Sequence, residues 1–84
     1  MKIYYITFRS VTFAQRAEKL LTQQDIRCSL QRTPRWMEAQ GCGYALRVWA
    51  REAETAVALL RGHNIPMRRL YKQGVTGELE ELPV

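Results

Sequence analysis

The sequence repeats itself with an offset of 39 residues, and this repeat restricts the fold more than any other feature. Tyr5 coincides with Tyr44, and Ala17 coincides with Ala56. Further coincidences are Ala14 with Ala53, Leu20–Leu21 with Leu59–Leu60, and Asp25–Ile26 with Asn64–Ile65. Because self-similarity at a fixed period reflects a repeated supersecondary unit, the sequence predicts two copies of one strand–helix–strand unit.

The first copy reads as a strand, a helix and a second strand. Residues 2–8, KIYYITF, are rich in aromatic and β-branched side chains, which is typical of a strand. Ser10 and Thr12 are candidate N-caps, and Thr12 with Gln15 matches a capping box. Apolar residues then recur at helical spacing: Phe13, Ala14, Ala17, Leu20 and Leu21. Asp25 can adopt the left-handed conformation that ends a helix, and residues 26–31 alternate like a half-buried strand.

The second copy has the same order. Residues 44–49, YALRVW, alternate in two sets: Tyr44, Leu46 and Val48 on one side, and Ala45, Arg47 and Trp49 on the other. A second helical stripe consists of Ala53, Ala56, Val57 and Leu60. Asn64 is the predicted end of this helix, and residues 65–72 form a predicted fourth strand.

Two joined units of this kind predict an α+β fold, the ferredoxin-like βαββαβ sandwich with a four-stranded antiparallel sheet. Right-handed crossovers place both helices on one face of that sheet. The other face, which we call the second face, is predicted to be left open and to carry Tyr5, Thr7, Arg27, Arg47 and Trp49. We expect one domain over residues 1–72, followed by an acidic tail over residues 73–84.

The charge is distributed unevenly along the chain. All 13 basic residues and five of the acidic ones lie in residues 1–72, which gives that part a net charge of +8. The tail contains three acids and no base: Glu78, Glu80 and Glu81. A basic body suits an anionic partner, and it is equally typical of a plain solvated surface. The only apolar run, near the N-terminus, is too short for a membrane span, so we expect a soluble, cytoplasmic protein. Its two cysteines are then free thiols, and no metal-ligand spacing occurs.

Cys42 stands between two glycines, just before the third strand. The predicted topology places its connection at the same end of the sheet as the start of the first helix, near Ser10 and Thr12. A helix start favours a thiolate, and Arg32 and Arg35 would act in the same direction. The functional interpretation is an accessible, ionised thiol, and the alternative is an ordinary loop cysteine. His63 is predicted at this end too, where it could pair with Cys42.

A family resemblance rests on four segments: Tyr5–Ser10, Ala14–Leu21, Thr33–Arg35 and Cys42–Gly43. They form an aromatic first strand with a Ser/Thr helix start, a helix, a T-P-x loop and a Cys-Gly before the third strand. Over residues 2–71 the chain resembles the small bacterial domains of the selenium/sulfur carrier protein-like family, of the DUF3343 type. It differs from their pattern in having Gly41 where a serine often precedes Cys-Gly, and in its acidic tail.

The resemblance implies that Cys42 holds sulfur or selenium as a persulfide or selenyl-sulfide. It would receive the atom from a donor protein and pass it to an acceptor protein, with no other cofactor. The chain would be a carrier rather than an enzyme with turnover. Gly41 and Gly43 would let the loop present the sulfur inside a partner's site.

Other residues keep alternative interpretations. Cys28 is predicted to be a buried small hydrophobe, with a resolving thiol for Cys42 as the alternative. Trp36 either covers the loop or anchors a partner. On the second face, Tyr5, Arg47 and Trp49 suggest either a homodimer interface or an RNA platform, and the absence of an RNP-like segment favours the dimer. A thiol peroxidase or thiol transferase would need a C-x-x-C motif or a second catalytic group, and neither is recognisable.

Overall fold

The computed structural model describes residues 3–32, 43–74 and 76–82. The elements of these residues are, in order, β1 (Ile3–Phe8), α1 (Val11–Gln23), β2 (Cys28–Arg32), β3 (Tyr44–Trp49), α2 (Ala50–Gly62), β4 (Arg69–Gln73) and β5 (Leu79–Leu82). The strands form one antiparallel sheet in the order β2-β3-β1-β4-β5. The predicted α+β class, with two helices and an antiparallel sheet, is therefore confirmed.

The repeat of the sequence reappears as a repeat of local structure. Both helices have 13 residues, and their limits are related by the same offset of 39. Asp25 and Asn64, which follow the two helices, have φ angles of 61° and 56°. The N–H groups of Ile26 and Ile65 each donate to a helix carbonyl five residues earlier at 2.9 Å. These bonds satisfy the last carbonyls of each helix and fix the direction in which the chain leaves it.

The same bonds explain why two strands begin later than predicted. The N–H groups of Ile26 and Ile65 bond to helix carbonyls and so are not available to a strand ladder. β2 consequently begins at Cys28 rather than at residue 26, and β4 begins at Arg69 rather than at residue 65. Both isoleucines are buried in the core all the same.

Both helices pack against one face of the sheet, as predicted. Small residues lie where each helix approaches the strands, Ala14 and Ala17 in α1 and Ala53 and Ala56 in α2. The largest side chains that are fully buried are Phe8, Ile6, Leu21, Leu46 and Leu60. Short alanine side chains let the helices lie close to the sheet while the larger residues fill the space between them.

The prediction of a four-stranded sheet is wrong, because part of the acidic tail forms a fifth strand. Gly77, with a φ of 92°, lies in the turn before β5, where a left-handed conformation suits glycine. β5 then pairs with β4, which sets Glu80 opposite Lys72 and Leu82 opposite Leu70. Leu82 packs against the core, so the tail adds an edge strand.

The second face is less open than predicted. Thr7 was expected there as an exposed residue, but it is fully buried. Ala45, its Cα partner on β3, is fully buried as well, and Tyr71 of β4 is 8% exposed. The middle of the second face is thus closed, and its accessible residues lie toward the ends of the strands and the sheet edges.

Candidate functional site

Three strands bring their ends together at one end of the sheet, which we call the Gly43 pole. Phe8 at the end of β1 and Arg32 at the end of β2 are the two Cα partners of Tyr44, the first residue of β3. Gly43, which precedes Tyr44, is buried, whereas Arg9 and Arg32 are exposed. The connection between β2 and β3 therefore leaves and re-enters the sheet at this pole, as predicted.

The start of α1 lies at the Gly43 pole because α1 follows β1 after two residues. Ser10 is its N-cap, and the Ser10 hydroxyl accepts a hydrogen bond from the N–H of Phe13 at 3.3 Å. The capping box predicted for Thr12 and Gln15 is wrong, since the helix already begins at Val11 and Thr12 is an exposed residue inside its first turn. That turn contains no acidic residue, so the positive end of the helix dipole is not neutralised by its own side chains.

The segment after α2 adds basic groups to this pole. The N–H of Arg68 donates to the carbonyl of Thr7 at 2.8 Å, which attaches this segment to the end of β1. A small cavity of about 70 Å³ lies between this segment and α1, and its lining consists of Arg9, Phe13, Pro66, Met67 and Arg68. His63, the C-cap of α2, is exposed. The pole thus combines a helix start with several guanidinium groups.

Four of the predicted site residues lie outside the described residues: Arg35, Trp36, Gly41 and Cys42. Their roles stay predictions, as does a pairing of His63 with Cys42. The structure does describe the two residues that flank the connection containing them. Its two ends, Arg32 and Gly43, lie beside the start of α1.

Cys28 is a free thiol at the first position of β2. It is half-buried and packs against the core, and its Sγ lies 3.9 Å from the carbonyl oxygen of Glu18. Burial, and to a lesser extent the charges of Glu18 and Glu52, raise the pKa of this thiol, although a hydrogen bond with Thr22 opposes them. Arg32, the last residue of β2, is four positions after Cys28, so Cys28 lies about 13 Å along the strand from the Gly43 pole. Its contact with the core supports the predicted packing role, and its role as a resolving thiol for Cys42 stays a prediction.

On the second face, Tyr5 and Arg47 are direct Cα partners, and Trp49 lies at the end of β3 opposite Ile3. Arg47 is exposed, while Tyr5 and Trp49 are half-buried. The Tyr5 hydroxyl donates to the side-chain oxygen of Gln73 at 3.5 Å. The three predicted binding residues are therefore neighbours, as the alternation of β1 and β3 predicted.

Sequence reasoning missed Tyr71, which lies opposite Tyr5 and fills the middle of the second face. Its hydroxyl accepts a hydrogen bond from the Arg69 guanidinium at 3.4 Å. Residues 69–73 alternate weakly, so no local signal indicates which face Tyr71 occupies.

In residues 3–32, 43–74 and 76–82, no group of three or more His, Cys, Asp or Glu side chains could hold a metal ion. In the same part of the chain, neither helix has the length and apolar character needed to cross a membrane.

Comparison with protein families decides the relationship of the chain. The model of the family described as "Putative Se/S carrier protein-like" matches residues 3–72. The chain belongs to this Se/S carrier-like family. Comparisons with curated proteins and with solved structures gave no match.

The family match in this Se/S carrier-like protein runs from the first residue of β1 almost to the end of β4. It includes the Gly43 pole, the start of α1 and both cysteines. β5 lies beyond the match, so the edge strand is an addition to the part of the chain that defines the family.

Proposed function

We propose that Cys42 of this Se/S carrier-like protein receives a sulfur or selenium atom from one protein and delivers it to another. The observation that carries the proposal is the family match over residues 3–72, which contains the Cys-Gly sequence at positions 42 and 43. The geometry of the Gly43 pole supports it. Cys42 is bonded to Gly43, and the strand that follows is paired with the ends of both β1 and β2.

The transfer itself needs a nucleophilic thiolate and no oxidant. The Cys42 thiolate attacks the outer sulfur of a donor persulfide, R–S–SH, and the S–S bond of the donor breaks. The donor leaves as the thiolate R–S⁻, and Cys42 becomes the persulfide Cys–S–SH. Attack by an acceptor thiolate on the outer sulfur of Cys42 repeats the step and restores the thiol. A selenium atom in the outer position follows the same course.

The charges at the Gly43 pole favour the thiolate form that this step requires. α1 begins at Val11 with no acid in its first turn, and the exposed Arg9 and Arg32 flank the end of the sheet. Positive charge of this kind lowers the pKa of a nearby thiol, and nucleophilic cysteines are found in such surroundings. By contrast, the pKa of the Cys28 thiol is raised, mainly by burial. The two cysteines should therefore differ in reactivity, with Cys42 the more reactive.

The finer description of the fold is part of the same proposal. The order β2-β3-β1-β4, with both helices on one face, supports a ferredoxin-like sandwich to which β5 adds an edge. In that arrangement Arg32 and Gly43, the two described ends of the β2–β3 connection, lie at the same end of the sheet.

Intact-mass spectrometry after incubation with glutathione persulfide, or with its selenium counterpart, tests the proposal. We expect the protein to gain the mass of one sulfur or one selenium atom, located on Cys42 by peptide mapping. Cys42→Ser should abolish this gain, and Cys28→Ser is the matched control that should retain it. Transfer that persists in Cys42→Ser, or that disappears in Cys28→Ser, contradicts the assignment.

The pH dependence of Cys42 alkylation tests the proposal that positive charge at the Gly43 pole lowers the pKa of this thiol. We expect the midpoint for Cys42 to fall below about 8.5, the ordinary value for a thiol. Arg9→Gln and Arg32→Gln should each raise that midpoint, because they remove positive charge from the pole. Arg51→Gln is the control, since Arg51 is exposed in the first turn of α2, at the other end of the sheet. A midpoint at or above about 8.5 in the unchanged protein would remove this support.

A further inference from the structure

A cavity of about 190 Å³ lies at the end of the sheet opposite the Gly43 pole. We call it the Trp49 cavity. Its polar and aromatic lining comes from Arg27, Ser29, Arg47 and Trp49, and Ile3 and Cys28 contribute to its wall. The carrier chemistry proposed above uses none of these residues, so the cavity requires a separate explanation.

The two arginines of the Trp49 cavity line the same space. Ser29 of β2 and Arg47 of β3 are direct Cα partners. Arg27 precedes β2, two positions before Ser29, and lines the cavity together with Arg47. Both guanidinium groups can consequently contact the same anionic group of a ligand, with the Ser29 hydroxyl beside that group.

Neither arginine has a partner among the described residues. Arg27 and Arg47 are exposed, and neither makes an ion pair or a side-chain hydrogen bond within residues 3–32, 43–74 and 76–82. Two neighbouring guanidinium groups repel each other, and a bound anion relieves that repulsion. The planar fork of arginine matches the oxygens of a phosphate especially well.

Trp49 supplies a flat apolar surface next to these charges. Its side chain is half-buried, so one part is fixed by packing while another remains accessible in the cavity. Trp49 is also the N-cap of α2, and it makes no side-chain capping bond. Glu52 in the first turn of α2 partly neutralises that helix start, so the positive charge of the cavity comes from the two arginines. An aromatic ring beside a basic group is a common arrangement for stacking a planar base.

We propose that the Trp49 cavity binds a ligand that combines a phosphate monoester with a planar ring, such as a nucleoside monophosphate with its sugar-linked phosphate and its base. The phosphate lies between Arg27 and Arg47 and accepts a hydrogen bond from Ser29, while the ring stacks on Trp49. A cavity of about 190 Å³ encloses the phosphate and only part of the ring. Binding is independent of Cys42.

Fluorescence titration tests this site directly. The chain has two tryptophans, so Trp36→Phe leaves Trp49 as the only indole. In that protein we expect adenosine monophosphate to change the Trp49 emission, with a Kd at least tenfold lower than that of adenosine or of inorganic phosphate. Arg27→Gln and Arg47→Gln should each weaken binding about tenfold, which is the usual loss when a charged hydrogen bond to an anion is removed. Arg16→Gln should leave binding unchanged.

Four outcomes would contradict this site. Equal binding of inorganic phosphate and adenosine monophosphate would overturn the proposal, as would equal losses in Arg16→Gln and Arg47→Gln. The proposal would also be overturned if a short RNA bound at least a hundredfold more tightly than the mononucleotide. A concentration-dependent dimer that excludes the mononucleotide would overturn it as well. Cys42→Ser should bind the mononucleotide normally, which separates this test from that of the carrier function.

Discussion

Replacing Thr7 by valine removes a fully buried hydroxyl while keeping the shape of the side chain. The hydroxyl of Thr7 accepts a hydrogen bond from the N–H of Arg69 at 2.9 Å and donates one to the Arg69 carbonyl at 3.3 Å. Valine can form neither bond, so β4 loses two contacts at its first residue. A buried polar group that loses its partner costs about 1–3 kcal/mol, and we expect the free energy of unfolding to fall by about 2 kcal/mol. For a domain of this size that corresponds to a fall in Tm of roughly 8–16 °C.

Urea denaturation followed by circular dichroism measures this change, and Thr7→Ser is the matched control. Serine keeps both hydrogen bonds and loses one buried methyl group, at a cost of about 1 kcal/mol. Thr7→Val should therefore be the less stable of the two variants, with an unchanged m value. If Thr7→Val proved as stable as the unchanged protein, or more stable than Thr7→Ser, burial of the extra methyl group would outweigh the hydrogen bonds. The argument for Thr7 as the residue that attaches β4 would then be refuted.

Three other predictions follow from the described residues. Burial raises the pKa of the Cys28 thiol and so favours its protonated form in the folded protein. The stability that results is present below about pH 8.5 and is lost as the pH rises above that value. In urea titrations between about pH 8 and 10, the unchanged protein should therefore lose stability more steeply than Cys28→Ala. Asn64→Ala should lower the free energy of unfolding by about 1 kcal/mol, because the φ of 56° at this position disfavours a side chain such as alanine, whereas Asn64→Gly should be no less stable than the unchanged protein. The corresponding alanine and glycine variants of Asp25 should behave in the same way. Leu82→Ala should lower the free energy of unfolding by about 1–2 kcal/mol, since Leu82 packs against the core but is only partly buried; an unchanged value would show that β5 adds nothing to stability.

Local signals in the sequence were sufficient for the two helices and for the direction of the chain after each. Apolar spacing predicted the buried face of α1 and α2, and the residues that face the sheet are those that the spacing identified. Asp25 and Asn64 were predicted to end the helices, and both adopt the left-handed conformation. These features depend on residues within about one helical turn of each other, which is why a single sequence contains enough information to predict them.

The fifth strand depends on distant residues and could not be predicted in this way. Residues 79–82, LEEL, do not alternate, and two adjacent acids are unfavourable in a strand by themselves. β5 forms beside β4, where Leu82 lies opposite Leu70 and Glu80 lies opposite Lys72. An apolar contact and a pair of opposite charges across the ladder thus outweigh the weak local preference.

The burial of Thr7 was missed for a related reason. Alternation correctly assigned Thr7 to the second face, but it cannot tell whether that part of the face is covered. Thr7 is paired with the small residue Ala45 on one side and with Arg69 on the other. Its hydroxyl bonds to the backbone of Arg69, which makes a polar side chain compatible with full burial.

The repeat also explains why the chain can have two different candidate sites. Each repeat begins a helix directly after a strand, but β1 and β3 are antiparallel, so the two helix starts lie at opposite ends of the sheet. Ser10 caps α1 with its hydroxyl at the pole from which the Cys42 connection extends. Trp49 occupies the equivalent position before α2, forms no such bond and instead lines a basic cavity. Glu52 in the first turn of α2 partly neutralises that helix start, whereas the first turn of α1 has no acid. The charge at the Trp49 end of the sheet therefore comes from Arg27 and Arg47, which form no ion pair among the described residues, while at the Gly43 pole the helix start acts together with Arg9 and Arg32.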